Sequence, residues 1–287
     1  MWGIAQSTYA IDWNLYHLNA NFLPWVLLIH ALGLGLAGVG WAVTIRQVSV
    51  NAPFWRSVSV YLLSNVGRNI PGSIWYIAGR VYLHRQTDIS GKSTVIASSI
   101  ELIFIGVASI LSAILWLLID PVDTFIPKLW LWLFLGMGLL FVSPPLFNPL
   151  INRLIRIKDP QGSCRVNFSY GIVGLLLLIY VLVIAIGGLM LFLIINSLYT
   201  LSWQFFPAVS AIWGVSAFVT TVTFWIPGRM ALRDGALLLG LSELMPLPIA
   251  VVITIVWHGG VVVSELFWAL IAMLLGRRFI KPKTVSG

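Results

Sequence analysis

Arginine is an awkward side chain to leave in lipid, yet this chain sets arginines beside two Pro-Gly turns within apolar sequence. Arg68 and Asn69 stand just before Pro71-Gly72, and Arg229, Arg233 and Asp234 follow Pro227-Gly228. A charge at the bilayer centre costs about 3 kcal/mol on insertion scales, so such residues face a partner, a cavity or a ligand. Guanidinium presents a planar fork of donors that matches phosphate. Half-helices starting near Ser73 and Arg229 add free N–H groups and partial positive charge. Arg68, Asn69, Arg80, Arg229 and Arg233 are therefore the candidate binders of an anion, with phosphate the natural one. Arg80 has a second reading, because it sits near the end of its segment and can snorkel to the membrane surface.

Three further polar residues fall inside apolar runs: Glu101, His258 and Glu265. Glu265 follows His258 by seven residues, on the same face at helical spacing. One reading makes Glu101 and Glu265 counter-ions to Arg68 and Arg229, or proton carriers coupled to transport. The other makes them plain interhelical hydrogen-bonding groups, with His258 a histidine satisfied by a neighbour. Arg233 and Asp234 are adjacent and offset each other's charge in part.

The elements that hold these residues are membrane helices. The chain is 59% hydrophobic and 9% charged, with a mean hydropathy of +0.97, far from soluble-domain composition. Five runs have the length to cross a ~30 Å hydrocarbon core: about 22–43, 93–119, 129–150, 169–195 and 247–275. The fold class is all-α and polytopic, a single transmembrane domain over 1–287. Two irregular apolar stretches, about 54–83 and 203–246, carry the Pro-Gly pairs. The net charge of +8 is an orientation signal in such a chain and not an affinity for nucleic acid.

Charge placement orients the chain. Arg46, Arg56, Arg80, Arg85 and Lys92 flank the first irregular stretch, Arg153, Arg156, Lys158 and Arg165 fill 151–168, and Arg277, Arg278, Lys281 and Lys283 form the tail. If 57–83 enters and leaves on one face, all of these become cytoplasmic; if it crosses once, they divide between the two sides. The positive-inside rule favours a re-entrant hairpin with its tip at Pro71-Gly72 and a cytoplasmic C-terminal tail at 276–287. Each arm is about 16 Å long, half a bilayer. Whether 203–225 spans or forms one arm of a second hairpin is not decided by charge.

The two Pro-Gly pairs lie 156 residues apart, and the same offset carries 247–275 onto 91–119. Glu101 then maps beside His258. This predicts inverted repeats, about 22–119 and 129–275, each with a re-entrant hairpin. Span 129–150 has no counterpart, so the first helix of repeat one is missing, and either an upstream helix or an N-terminus outside the membrane is expected. Inverted repeats with broken helices are a transporter signature. Trp25, Trp41, Trp130, Trp132, Tyr199 and Trp203 suit interfacial belts, and the small residues of Gly33 to Trp41 suit close helix packing. No cleavable signal peptide is evident in Met1 to Asn21. The lone Cys164 has no metal-ligand spacing, no nucleotide loop or catalytic constellation stands out, and no loop has room for a soluble catalytic domain. Neither a cofactor, a metal nor an enzyme activity is expected.

At these residues the chain resembles the transmembrane region of lysylphosphatidylglycerol synthase/flippase proteins and their stand-alone relatives. The likeness rests on "NVGRNIPGSIWYIAGR" (Asn65 to Arg80), "SSIELIF" (Ser98 to Phe104), "IPGRMALRDGALLLGL" (Ile226 to Leu241) and "WHGGVVVSELFWAL" (Trp257 to Leu270). It covers nearly the whole chain from about residue 22. Arg233-Asp234-Gly235 matches the family's Arg-Glu-Gly with an acidic swap. Arg229, Met230 and Ala231 depart from its glycine-rich turn, and His258 stands where an arginine is usual.

The resemblance implies lipid handling without aminoacyl transfer, since the soluble transferase domain is absent. The expected function is a flippase-like translocase in the cell membrane for an anionic, aminoacylated or glycosylated phospholipid, or a polyprenyl-linked lipid. Membrane lipids, and a glycosyltransferase or other lipid-modifying enzyme, are the expected partners. The alternatives are a solute or ion transporter of similar architecture, and a non-transporting partner of such a glycosyltransferase.

Overall fold

A computed structural model describes residues 20–69, 74–85, 89–119, 127–158, 166–226 and 228–276. The described residues form ten α-helices and three short 3-10 turns, with no strand among them. They are α1 (Leu23–Val48), α2 (Phe54–Asn65), α3 (Trp75–Arg85), α4 (Gly91–Ile119), α5 (Lys128–Val142), α6 (Pro144–Lys158), α7 (Tyr170–Leu198), α8 (Phe206–Val222), α9 (Arg229–Ser242) and α10 (Leu247–Gly276). The protein is an all-α polytopic membrane protein. Five helical segments are long and apolar enough to cross: Pro24–Val48, Gly91–Ile119, Tyr170–Leu198, Trp203–Val222 and Leu247–Ile271.

One expectation about spans needs correction. The run at 129–150 is not one straight helix, because α5 and α6 meet at Ser143 with a bend of 68°. Pro144 and Pro145 cause the break: neither has an N–H to continue the ladder of α5. The stretch from Trp203, left open by charge, is a continuous helical segment of crossing length. The first irregular stretch is instead two short helices. α2 has 12 residues and α3 has 11, about 18 and 16 Å, so neither crosses by itself.

Local chemistry sets the ends. Ser90 Oγ accepts from the backbone N–H of Ser93 at 3.0 Å, capping α4, and Ser169 Oγ accepts from that of Ile172, capping α7. The neck of the α2–α3 hairpin is closed by Gly67, where a Cβ would lie 2.8 Å from the backbone nitrogen of Tyr76. A side chain there pushes the arms apart. α9 begins after Gly228, whose φ of 81° is a left-handed conformation that glycine adopts without strain. The tips at Pro71, Gly72 and Pro227, the tail after Gly276, and Cys164 lie outside the described residues.

The helices pack in matching sets. α1 packs on α2 as α7 packs on α8, α3 on α4 as α9 on α10, and α4 on α8 as α10 on α2, while α1 and α7 pack on each other. Small residues allow the closeness: Gly33 and Gly40 of α1 meet Ile186, Ile179 and Tyr180 of α7, and Gly38 meets Val58 of α2. The core has two apolar clusters. One surrounds Trp41, Phe104, Phe147 and Phe168, and the other Leu191, Ile195, Leu241 and Trp257.

An extended segment at 166–169 is held to α6 without any sheet. Asn148 donates to the Phe168 carbonyl and accepts from its N–H, both at 2.9 Å, and Asn152 does the same with Val166. Four helical residues advance about 6 Å and two extended residues about 6.6 Å, so the registers match.

Candidate functional site

The hairpin α2–α3 presents two polar faces, each readable at helical spacing. Tyr61 and Asn65 are four apart with Arg68 three further on. Tyr76, Arg80 and His84 are also four apart. The first set opens onto a cavity of about 220 Å³ among α1, α2, α3, α4, α7, α8, α9 and α10, many times the ~10–15 Å³ that admits one water. The second set, apart from Tyr76, turns away from it.

Three guanidiniums line this cavity: Arg68, Arg229 and Arg233. Arg68 comes from the 3-10 turn that ends α2 and lies over Tyr76 at 4.9 Å and Tyr61 at 5.7 Å. Arg229 opens α9 and lies 5.1 Å from the Phe224 ring centroid. Facing rings stabilise such cations by about 0.5–2 kcal/mol while leaving N–H edges for an anion. Glu265 of α10 supplies a carboxylate, and Asn65 donates to its Oε1 at 2.6 Å, joining α2 to α10. The remaining wall is largely apolar, including Leu102, Ile105, Val183, Ile184 and Met190. Such a chamber can hold an anion carried on an apolar body.

Arg80 is not a member of this group and does not snorkel. Its side chain and that of Glu101 are both 0% exposed and form an ion pair across α3 and α4. Trp41, Tyr61 and Tyr76 enclose the guanidinium at 4.1, 4.6 and 5.0 Å. Glu101 is therefore the counter-ion of Arg80, not of Arg68. The expected interfacial role of Trp41 is overturned as well: it is fully buried beside Arg80, whereas Trp25, Trp130, Trp132 and Trp203 are exposed. Sequence order alone separates Trp41 from Arg80 by 39 residues, so no periodicity could link them.

The remaining candidates form a second cluster between α9 and α10. Arg233 Nε donates to Asp234 Oδ1 at 2.8 Å, and its Nη2 lies 2.7 Å from the same oxygen as an ion pair. His258 Nδ1 lies 2.9 Å from Asp234 Oδ2 and 3.0 Å from Arg233 Nη2. The partial charge offset expected of Arg233 and Asp234 is thus a direct ion pair. The side chain of Asn69 and the prolines of both tips lie outside the described residues.

Sequence reasoning passed over several contributors. Asn65, Tyr61 and Tyr76 were recoverable from their helical spacing to Arg68 and Arg80, at three, seven and four residues. His30 was not: it lines the cavity from α1, and its Nδ1 lies 2.6 Å from Ser264 Oγ of α10. Among the described residues no group of three His, Cys, Asp or Glu side chains is arranged to hold a metal ion. No protein-family model, curated protein or solved structure matches this chain.

Proposed function

We propose that this protein is a lipid translocase of the cell membrane that moves an anionic lipid between leaflets. The observation that carries the reading is the convergence of Arg68, from the turn after α2, and Arg229 and Arg233, from α9, on one cavity with mostly apolar walls. Guanidiniums bind the phosphate, the apolar wall accepts the first part of the lipid body, and the acyl chains stay in the bilayer. An aminoacylated or glycosylated phospholipid, or a polyprenyl-linked lipid, satisfies the same chemistry. The protein transports without transferring the aminoacyl group, and a glycosyltransferase or other lipid-modifying enzyme supplies or consumes the cargo.

The two hairpins belong to inverted repeats in this reading, with the C-terminus cytoplasmic. Support comes from the recurrence of neighbours between the α1–α4 and α7–α10 sets, and from α10 starting 156 residues after α4. Rocking one repeat against the other exposes the cavity to each leaflet in turn. Family membership in the lysylphosphatidylglycerol flippase group is part of the same proposal.

The test is leaflet exchange in liposomes. The purified protein is reconstituted with fluorescent phosphatidylglycerol, its lysyl derivative, a glycosylated phospholipid and a polyprenyl phosphate. Faster exchange of at least one, lost in an Arg68→Ala/Arg229→Ala variant, supports the proposal. Exchange equal to that of empty liposomes across the whole panel overturns it.

A further inference from the structure

Helix α6 has three faces, and only one of them meets the protein. Phe147, Ile151 and Ile155, at four-residue spacing, are buried, with Phe147 against Phe104 of α4 and Phe168. Beside them Asn148 and Asn152 grip the segment at 166–169, which fixes the roll of the helix about its own axis. The rest of the circumference is exposed. Leu146, Leu150 and Leu154 form one stripe of it, 57, 39 and 53% exposed. Arg153 lies about 20° around the helix from Leu146, and Arg156 about 80°, at ~100° per residue. Both arginines are exposed, and neither pairs with an acid among the described residues.

The bend at Ser143 decides where this helix lies. α5 is 15 residues long and advances about 22 Å. α6 has the same length but turns away by 68°, so with α5 upright it gains only about 8 Å of depth. Together they account for the ~30 Å hydrocarbon core. The far half of α6, with Arg153 and Arg156, thereby reaches headgroup level, while Leu146 and Leu150 enter the chain region beneath it. In water the leucine stripe would stay unburied, and at the bilayer centre two guanidiniums would be stranded. An oblique position in one leaflet satisfies both, as for an interfacial amphipathic helix.

We infer that α6 is a membrane-surface helix that holds anionic lipid headgroups with Arg153 and Arg156, at a site separate from the central cavity. No α6 residue lines that cavity, and the inference stands whatever the cavity carries. The leucines dip among the acyl chains, and the guanidiniums take phosphate oxygens. Net charge is what they select: phosphatidylcholine has the same phosphate, but its choline offsets the charge. Each arginine favours an anionic lipid by about fivefold. The fixed roll of α6 presents both arginines without further ordering of the backbone. On the positive-inside rule this is the cytoplasmic leaflet, the one rich in anionic lipid.

The experiment reads the lipid beside α6 directly. A bimane fluorophore is attached at Leu150→Cys in a Cys164→Ser background, one helical turn from Arg153. The protein is reconstituted in phosphatidylcholine vesicles that hold a small fraction of phosphatidylglycerol with a nitroxide high on one acyl chain. A parallel sample holds the same fraction of phosphatidylcholine labelled in the same way. The bimane should emit as in an apolar medium, and quenching should report phosphatidylglycerol enriched about fivefold or more. Arg153→Gln/Arg156→Gln should bring the two lipids to parity. Arg68→Ala/Arg229→Ala should leave the enrichment unchanged, which separates this site from the cavity. A water-like emission that neither lipid quenches overturns the inference, as does equal quenching by both lipids in the protein that retains its arginines. So does a preference that survives in Arg153→Gln/Arg156→Gln or vanishes in Arg68→Ala/Arg229→Ala.

Discussion

Arg80 and Glu101 form an ion pair in which both side chains are completely buried, one on α3 and the other on α4. Taking two charges out of solvent is costly, and removing one partner strands the other. Glu101→Ala is therefore expected to lower stability by about 3–5 kcal/mol. Thermal unfolding in detergent checks this. An Arg80→Met/Glu101→Leu double variant is expected to recover much of the loss, since apolar replacement of a whole buried pair is tolerated. A double variant as unstable as the sum of the single ones would show that the pair is not a unit.

Arg68 and Arg229 are predicted to act on ligand and not on folding. Each charged hydrogen bond contributes about 1.5–3 kcal/mol, so Arg68→Ala or Arg229→Ala should weaken binding of an anionic lipid by about tenfold to a hundredfold. The melting temperature should move little, because both guanidiniums border the cavity. Binding in nanodiscs alongside melting curves separates the two effects. Equal loss of binding in Arg46→Ala, outside the cavity, would point to general surface charge instead.

Gly67 and Gly174 make a paired test of the hairpin neck. A Cβ at Gly67 meets the backbone of Tyr76 at 2.8 Å, whereas nothing lies within 4 Å of one at Gly174. Gly67→Ala should cost about 1–3 kcal/mol through overpacking. Gly174→Ala, inside α7, should be neutral or gain up to about 1 kcal/mol from helix propensity. Comparable losses in both would remove the steric argument.

Asn148 and Asn152 tie the segment at 166–169 to α6 through side-chain amide bonds to its backbone. Asn148→Ala leaves the Phe168 N–H and carbonyl without these partners, at a cost of about 1–3 kcal/mol if they stay buried. Hydrogen exchange should accelerate at Phe168 first and at Val166 after Asn152→Ala. Unchanged protection at both amides would show that something else holds the segment.

Topology is open to a labelling test. In a Cys164→Ser background, Asn51→Cys and Ser90→Cys flank the α2–α3 hairpin. An impermeant thiol reagent should reach both from the same side if the hairpin is re-entrant. Labelling from opposite sides would make α2–α3 a crossing and divide the basic residues between the two faces.

Composition and patterning were enough to establish the class of the molecule, because ~20-residue apolar runs can only be membrane helices. The Pro-Gly interruptions also announced where helices stop, since proline and glycine act on their own backbone and need no partner. The same local chemistry marked Arg68, Arg229 and Arg233 as costly charges, and all three line the cavity. What the sequence did not contain was pairing. Glu101 is 33 residues from Arg68 and 21 from Arg80, and only the packing of α3 on α4 decides that Arg80 takes it. Trp41 carries the signature of an interfacial tryptophan, and only the closure of α1, α2 and α3 around Arg80 buries it. The division between a sealed ion pair and an open cationic cavity is likewise tertiary. It depends on which face of each short helix meets another helix, a property of the whole bundle that no single segment encodes.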